Sequence, residues 1–333
     1  MTRDFYRAFE DRFRGTADVV ESRLAVYLPF VRGAAGAHPD ATLVDIGCGR
    51  GEWLDLLHKS GIAARGVDVD EAMLRDCAAR GLQVERADAF DFLKRLPDAS
   101  QFAVTAFHFA EHLPFDQLHV LAVEAMRVLR PGGVLIIETP NPESLIVSST
   151  DFYLDPSHRH PLPPKLLEFW ADYHGFDDIR ILRLQEKQDV APDRMSIWDV
   201  LSGTSPDYAL VARKPGPAAI DGTDADAVRK TYGRTLGSLA LDYDFVVREL
   251  HAQTASRLEA FDRRNAAHEQ HTDERLRAME GRLHAMEERV QALDAHLRGV
   301  LASRSWRITV PLRWAAQQWR NLREMFSGAD SHG

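Results

Sequence analysis

Apolar positions come in short blocks along the first two thirds of the chain. Runs at Thr42–Ile46, 63–69, 82–87, 102–108 and 134–138 are the length of strands and too short for helices. Between them the apolar spacing becomes helical. Trp53, Leu54, Leu56 and Leu57 follow the first run, Met73 and Leu74 the second, and 117–129 precede the fifth. Residues 4–32 also read as helix, with Phe5, Phe9, Phe13, Val19, Leu24, Tyr27 and Leu28 on one face. Such alternation predicts an α/β fold with a doubly wound, mostly parallel sheet, whose ligands sit outside the carboxyl ends of the strands. Pro163 and Pro164 open another short helix, which Gly175 stops. Residues 187–205 are irregular and read as an insertion.

The pattern changes beyond Pro217. Residues 217–226 form a small, acidic linker, and 227–302 lack proline and are dense in charge. Leu276, Met279, Leu283, Met286, Val290, Leu293, Leu297 and Val300 are spaced 3, 4, 3, 4, 3, 4, 3. That is an a/d seam over about four heptads, and it predicts a coiled coil and a homo-oligomer. A single amphipathic helix folded back on the domain is the alternative. Residues 303–333 are basic, with Trp306, Trp314 and Trp319, and suit a membrane interface or a partner groove. The expected organisation is therefore 1–216 catalytic, 217–226 linker, 227–302 stalk and 303–333 amphipathic segment.

Composition narrows this picture. The formal charge of −9 argues against nucleic acid as partner. Two cysteines, Cys48 and Cys77, give neither a disulfide framework nor a metal knuckle. With no signal-peptide pattern and no membrane-spanning run, a cytoplasmic protein is expected.

The candidate chemistry begins at the first strand end. Gly47, Gly49 and Gly51 fall within five residues, between a strand and a helix. Such a turn brings backbone N–H groups against a nucleotide-like ligand, and a Cβ would block the approach. Asp68 ends the second run about twenty residues on, where an acid accepts from ribose hydroxyls. Asp88 ends the third, where an acid can accept from an adenine amino group. Asp70 reads as a helix N-cap. The set Asp45-Ile-Gly-Cys-Gly-Arg-Gly51, Gly66-Val-Asp68, Asp88-Ala89, Glu111-His112 and Arg127-Val-Leu-Arg-Pro-Gly-Gly133 resembles the class I S-adenosylmethionine (SAM) dependent methyltransferases over about 40–215. The resemblance implies SAM as cofactor and a seven-stranded Rossmann-like sheet ending in a reversed hairpin, for which 178–184 and 208–213 are suited. It also implies a cofactor site of Arg23, Asp45, Gly47, Cys48, Gly49, Gly51, Asp68, Val69, Met73, Asp88, Ala89, His108 and Phe109. An arginine fork suits the methionyl carboxylate, and Arg12, Arg14 and Arg23 are the nearby choices; a solvated helix face is the alternative.

A narrower resemblance lies in Phe5-Tyr-Arg-Ala-Phe-Glu-Asp-Arg-Phe-Arg-Gly15, Tyr27-Leu-Pro-Phe30, Thr139-Pro-Asn-Pro-Glu-Ser-Leu145 and Asp151-Phe-Tyr-Leu-Asp-Pro-Ser-His-Arg-His-Pro161. These are similar to the methyltransferase module of bacterial O-antigen chain terminators. The resemblance implies a glycan acceptor at the end of a lipopolysaccharide O-polysaccharide, methylated on a sugar hydroxyl or on a phosphate. It further implies a coiled coil that joins subunits, as a trimer, and a glycosyltransferase or polymerase partner, or contact with the inner membrane through 303–326. No kinase signature occurs, which favours direct hydroxyl methylation.

Methyl transfer needs the acceptor oxygen aligned with the S–C bond. A sugar hydroxyl profits from a general base, most often histidine, whereas phosphate needs positive donors. Loop 151–161 offers His158 and His160 as base and Tyr153, Asp155 and Arg159 as acceptor contacts. Glu111 and His112 offer a second pair, and a merely structural strand-end role for that pair stays open. No HExxH-type spacing is present, and no metal site is expected.

Overall fold

In the computed structural model, residues 12, 13, 15–186, 195–216 and 224–327 are described. Strand β1 (Thr42–Ile46) lies centrally. Then follow β2 (Ala64–Asp68), β3 (Val84–Arg86), β4 (Gln101–Phe107), β5 (Leu129–Pro140), β6 (Asp177–Leu184) and β7 (Asp207–Arg213). They make one sheet in the order β3-β2-β1-β4-β5-β7-β6. Pairing is parallel from β3 through β5, while β7 runs antiparallel to both β5 and β6. The expected doubly wound sheet is present, with its reversed strand.

Helices cover both faces: α1 (Ala17–Leu24), α2 (Leu28–Ala37), α3 (Glu52–Lys59), α4 (Glu71–Ala79), α5 (Ala89–Arg95), α6 (Phe115–Val128), α7 (Leu145–Ser149), α8 (Pro164–Tyr173) and α9 (Ile197–Ser202). Successive strand residues point to opposite faces. Val44, Val104, Leu135 and Leu210 therefore share one core with Leu93, Leu121 and Trp170. Their neighbours Leu43, Ala103, Ile136 and Val211 share the other with Tyr27, Phe30 and Trp53.

Two local expectations are corrected. The helix read over 4–32 is broken where it is described. Gly15, at φ +89°, precedes α1, and a 3₁₀ turn at Ala25–Tyr27 separates α1 from α2. Pro29 explains the restart, because proline lacks the N–H an inner turn requires and is tolerated in a first turn. Phe5, Phe9 and Arg14 lie outside the described residues. The expected fifth strand, 134–138, is extended at both ends, and the Pro-Gly-Gly segment lies inside it. Pairing jumps from Gln101 opposite Leu129 to Ala103 opposite Val134, so the intervening residues form a bulge. A Cβ at Gly133 would stand 2.8 Å from the Arg130 carbonyl oxygen and 3.0 Å from that of Phe102.

The sheet-bearing unit also continues past 216, to Glu249. Val228, on α10 (Ala225–Arg229), is buried in the same core as Phe30. Leu239, near the start of α11 (Leu236–Ala302), is buried with Met195 and Val200. Apolar side chains beyond the linker are thus part of the first unit. The second unit, from Leu250, contains the remainder of α11, then α12 (Arg304–Ile308) and α13 (Val310–Ser327). The eight heptad side chains are exposed along α11. No helix among the described residues is long and apolar enough to cross a membrane.

Leu239→Ala should lower the stability of the first unit by about 2–5 kcal/mol, as for other large-to-small core changes. The urea midpoint of that unit's transition reads it. An unchanged midpoint would detach α11 from the core.

Candidate cofactor and acceptor site

The turn after β1 is built on glycines in the left-handed region. Gly47, Gly49 and Gly51 have φ of +70°, +51° and +73°. A Cβ on Gly47 would lie 2.7 Å from the Phe109 ring, and one on Gly51 2.8 Å from Cys77 Sγ. Asp68, ending β2, is oriented by two backbone donors: Gly49 N–H donates to Oδ2 at 2.9 Å and Asp70 N–H to Oδ1 at 2.8 Å. Asp70 caps α4 as expected, accepting from Ala72 and Met73. Asp88 caps α5, and both of its bonds, from Phe90 and Asp91, use Oδ1.

These strand ends open on a cavity of about 910 Å³. Its wall includes Arg23, Asp45, Gly47, Cys48, Gly49, Asp68, Val69, Met73, Asp88, Ala89, His108 and Phe109. Of the expected cofactor residues only Gly51 is outside the wall; its glycine serves the packing of Cys77. Asp45 is almost fully buried and accepts from Thr105 Oγ1 at 2.7 Å. Burial raises its carboxyl to about 7, against the Thr105 bond that lowers it.

The rest of the wall comes from β4, β5, β7 and loop 151–161. His108 adopts φ +48°, an uncommon conformation for a side-chain-bearing residue. Its Nδ1 lies 3.2 Å from Glu111 Oε1 and its Nε2 3.2 Å from Glu138 Oε1. Burial opposes charge on this ring, but the bonds to Glu111 and Glu138 outweigh it and raise the ring well above the usual histidine range. Glu111 is fully buried behind the wall, and its Oε2 accepts from Thr139 Oγ1 at 3.0 Å. Glu138 also accepts from the Tyr27 hydroxyl and from Gln185 Nε2. Asp207, at the start of β7, is raised to about 7 by burial, with Glu138 adding to the effect and His108 opposing it.

Loop 151–161 divides in two. Asp151, Leu154, Asp155, Ser157 and His158 line the cavity; Tyr153, Arg159 and His160 do not and are exposed. Arg159 makes a backbone bond to the Glu111 carbonyl instead. His158 Nδ1 is 2.7 Å from the Phe152 carbonyl oxygen, and its Nε2 is 3.9 Å from Asp155 Oδ2 and 4.0 Å from Glu111 Oε1. His112 lines the cavity, 4.9 Å from His158 between ring centres, with Nδ1 3.1 Å from Ser157 Oγ. Ser157 Oγ in turn donates to Asp155 Oδ1 at 2.6 Å.

Sequence reading missed Glu138, Gln185, Asp207 and Tyr27. Glu138 had a signal, an acid closing an otherwise apolar strand as Asp45 nearly does. Asp207 had none, because it begins a reversed strand. Spacing along the chain also hid two three-donor groups, Glu111 with His112 and His158, and His108 with Glu138 and Asp207. Each joins residues from separate segments.

The donor set fits SAM. The cavity is large enough for a cofactor of that size. Nine carboxylic acids and one arginine line it, which suits a ligand bearing sulfonium and ammonium charges, and Asp68 is held ready for a ribose diol.

Comparison with known proteins agrees. A family model described as a methyltransferase domain matches residues 44–137. The crystal structure of a SAM-dependent methyltransferase from Archaeoglobus fulgidus is 33% identical, with a TM-score of 0.56, and the match covers 63% of this chain and all of that one. A probable S-adenosylmethionine-dependent methyltransferase of Mycolicibacterium smegmatis is 34% identical over 135 residues, 40% of this chain and 51% of that protein. A trans-aconitate 2-methyltransferase of Azoarcus is 38% identical over 121 residues, 36% of this chain and 43% of that protein. The chain thus spans about half the length, or less, of these curated relatives. The sheet order, the glycine turn with its acids and these likenesses together make the chain a member of the SAM-dependent methyltransferases.

Proposed function

We propose that this protein is an O-methyltransferase for a neutral hydroxyl on the terminal sugar of a bacterial surface polysaccharide such as O-antigen. One observation carries the choice of acceptor. A wall with nine carboxylic acids and Arg23 as its one arginine or lysine repels phosphate and carboxylate acceptors and accommodates polyols. The resemblance of loop 151–161 to that of the O-antigen chain terminators supports the glycan, because part of the loop lines the cavity. The small-molecule alternative, such as the tricarboxylate in the name of the Azoarcus relative, is disfavoured by the same charge.

His158 is the base in this reading. The Phe152 carbonyl can only accept, so Nδ1 carries the hydrogen and Nε2 of the neutral ring has the lone pair. Asp155 and Glu111 stand near Nε2 and favour the imidazolium that forms. His112 holds Ser157, and through it Asp155, in place. When bound, SAM supplies a methyl group on a sulfonium. With SAM in place, the acceptor oxygen would take its methyl group, S-adenosylhomocysteine would leave, and His158 Nε2 would take the hydroxyl proton. Asp68 and Asp88 orient the cofactor, and Arg23 is the cation for its carboxylate. Tyr153 and Arg159, exposed beside the wall, suit further sugars of a long acceptor.

The tail completes the proposal. The a/d seam from Leu276 to Val300 pairs copies into a homo-oligomer in the cytoplasm. The segment from residue 303, with Trp306, Trp314 and Trp319 among arginines, holds it at the inner membrane or at a polymerase partner.

His158→Ala should lower turnover of an O-polysaccharide fragment by about 10²–10⁴-fold, the usual worth of a general base, and leave SAM affinity within a few fold. His160→Ala should change neither, and equal turnover in both variants would remove His158 from the reaction. SAM affinity should rise with pH. A cationic ligand favours ionised Asp45, whose free carboxyl titrates near 7, so binding releases a proton below that pH. Calorimetry should show about tenfold tighter binding at pH 8 than at pH 6, flattened in Asp45→Asn. Leu283→Asp with Val290→Asp should convert the oligomer to a monomer by light scattering and retain methyl transfer. Ending the chain at 302 should keep the oligomer and lose binding to anionic lipid vesicles.

A further inference from the structure

The cavity holds ligating atoms that the mechanism above does not use. A nitrogen of His108 and one carboxylate oxygen each of Glu138 and Asp207 lie within 4.8 Å of one another. Ligands about one ion at roughly 2.1–2.3 Å stand about 3–4.5 Å apart, so the separation suits a shared cation. The three come from separate places, the end of β4, the end of β5 and the start of β7. Gln185 brings its amide alongside, 3.2 Å from Glu138.

The ring is oriented from behind. Nδ1 faces Glu111, whose carboxylate is fixed by Thr139 and cannot donate. Nδ1 therefore carries a hydrogen, and Nε2 faces Glu138. A histidine whose far nitrogen donates to a buried carboxylate is the usual outer shell of a metal-bound imidazole. On the cavity side the ring meets Glu138 and Asp207, and a divalent cation bound there would replace the proton that the ring otherwise shares with Glu138. The neighbouring donors Glu111, His112 and His158 offer less, because His158 serves as the base and His112 is engaged with Ser157.

We infer that His108, Glu138 and Asp207 bind a divalent cation of the Mg²⁺ or Mn²⁺ class, with Glu111 as the positioning residue behind His108. One imidazole with two carboxylates is an oxygen-rich set of that type. The ion would take the acceptor hydroxyl as a further ligand and lower its pKa, so that proton transfer to His158 becomes easier. This role rests on the hydroxyl-acceptor reading; the binding site does not.

The test titrates the full-length, chelator-treated protein with Mn²⁺ alone and follows free Mn²⁺ by electron paramagnetic resonance, without cofactor or acceptor. The expected result is one site per chain, at least tenfold weaker in Asp207→Asn and in Glu138→Gln. Circular dichroism melting checks that both variants fold. Wild-type binding no tighter than that of folded variants overturns the inference, as does absence of a stoichiometric site in the wild type. Because the readout needs no acceptor, a bound ion in an enzyme that methylates no glycan upholds the site and removes only the proposed acceptor.

Discussion

The carboxylate of Glu138 is where the separate parts of the site meet. It takes the Tyr27 hydroxyl from the N-terminal helices, the His108 ring from the end of β4 and the Gln185 amide from just beyond β6. A carboxylate this buried is tolerated only if its lone pairs are used. Satisfying it fixes the approach of three segments that have no sequence proximity. Two of them, His108 and Gln185, hold positive φ, at +48° and +64°. Non-glycine residues in that region cost of order 1–3 kcal/mol each and persist when their surroundings over-determine them.

Around this point the cavity has two halves with different logic. On the cofactor side, orientation comes from main-chain donors, with Gly49 and Asp70 on Asp68 and the first turn of α5 on Asp88. On the other side, orientation passes from side chain to side chain, from Thr139 to Glu111 to His108, and from His112 to Ser157 to Asp155. The first kind is set by the path of the backbone. The second depends on each member being present.

That difference explains what the sequence disclosed. The cofactor half was legible because its residues follow strand ends at regular spacing, and the glycine turn has few alternatives. Glu138, Gln185 and Asp207 were not, because long-range contacts assemble them and no local pattern marks them. The end of the first unit was misplaced for a related reason. A charged, proline-free stretch looks uniform, yet Val228 and Leu239 within it are core residues. In loop 151–161 only the fold separates His158, in the wall, from His160, in solvent.

The reversed direction of β7 has a consequence of its own. In a sheet otherwise read at its carboxyl ends, an antiparallel strand presents its amino end on the same rim; Pro140 stands opposite Asp207 in the register. The rim therefore gains an acid without a crossover helix. Within one domain, the glycine turn and this acid therefore reach the same rim from strand ends of opposite sense.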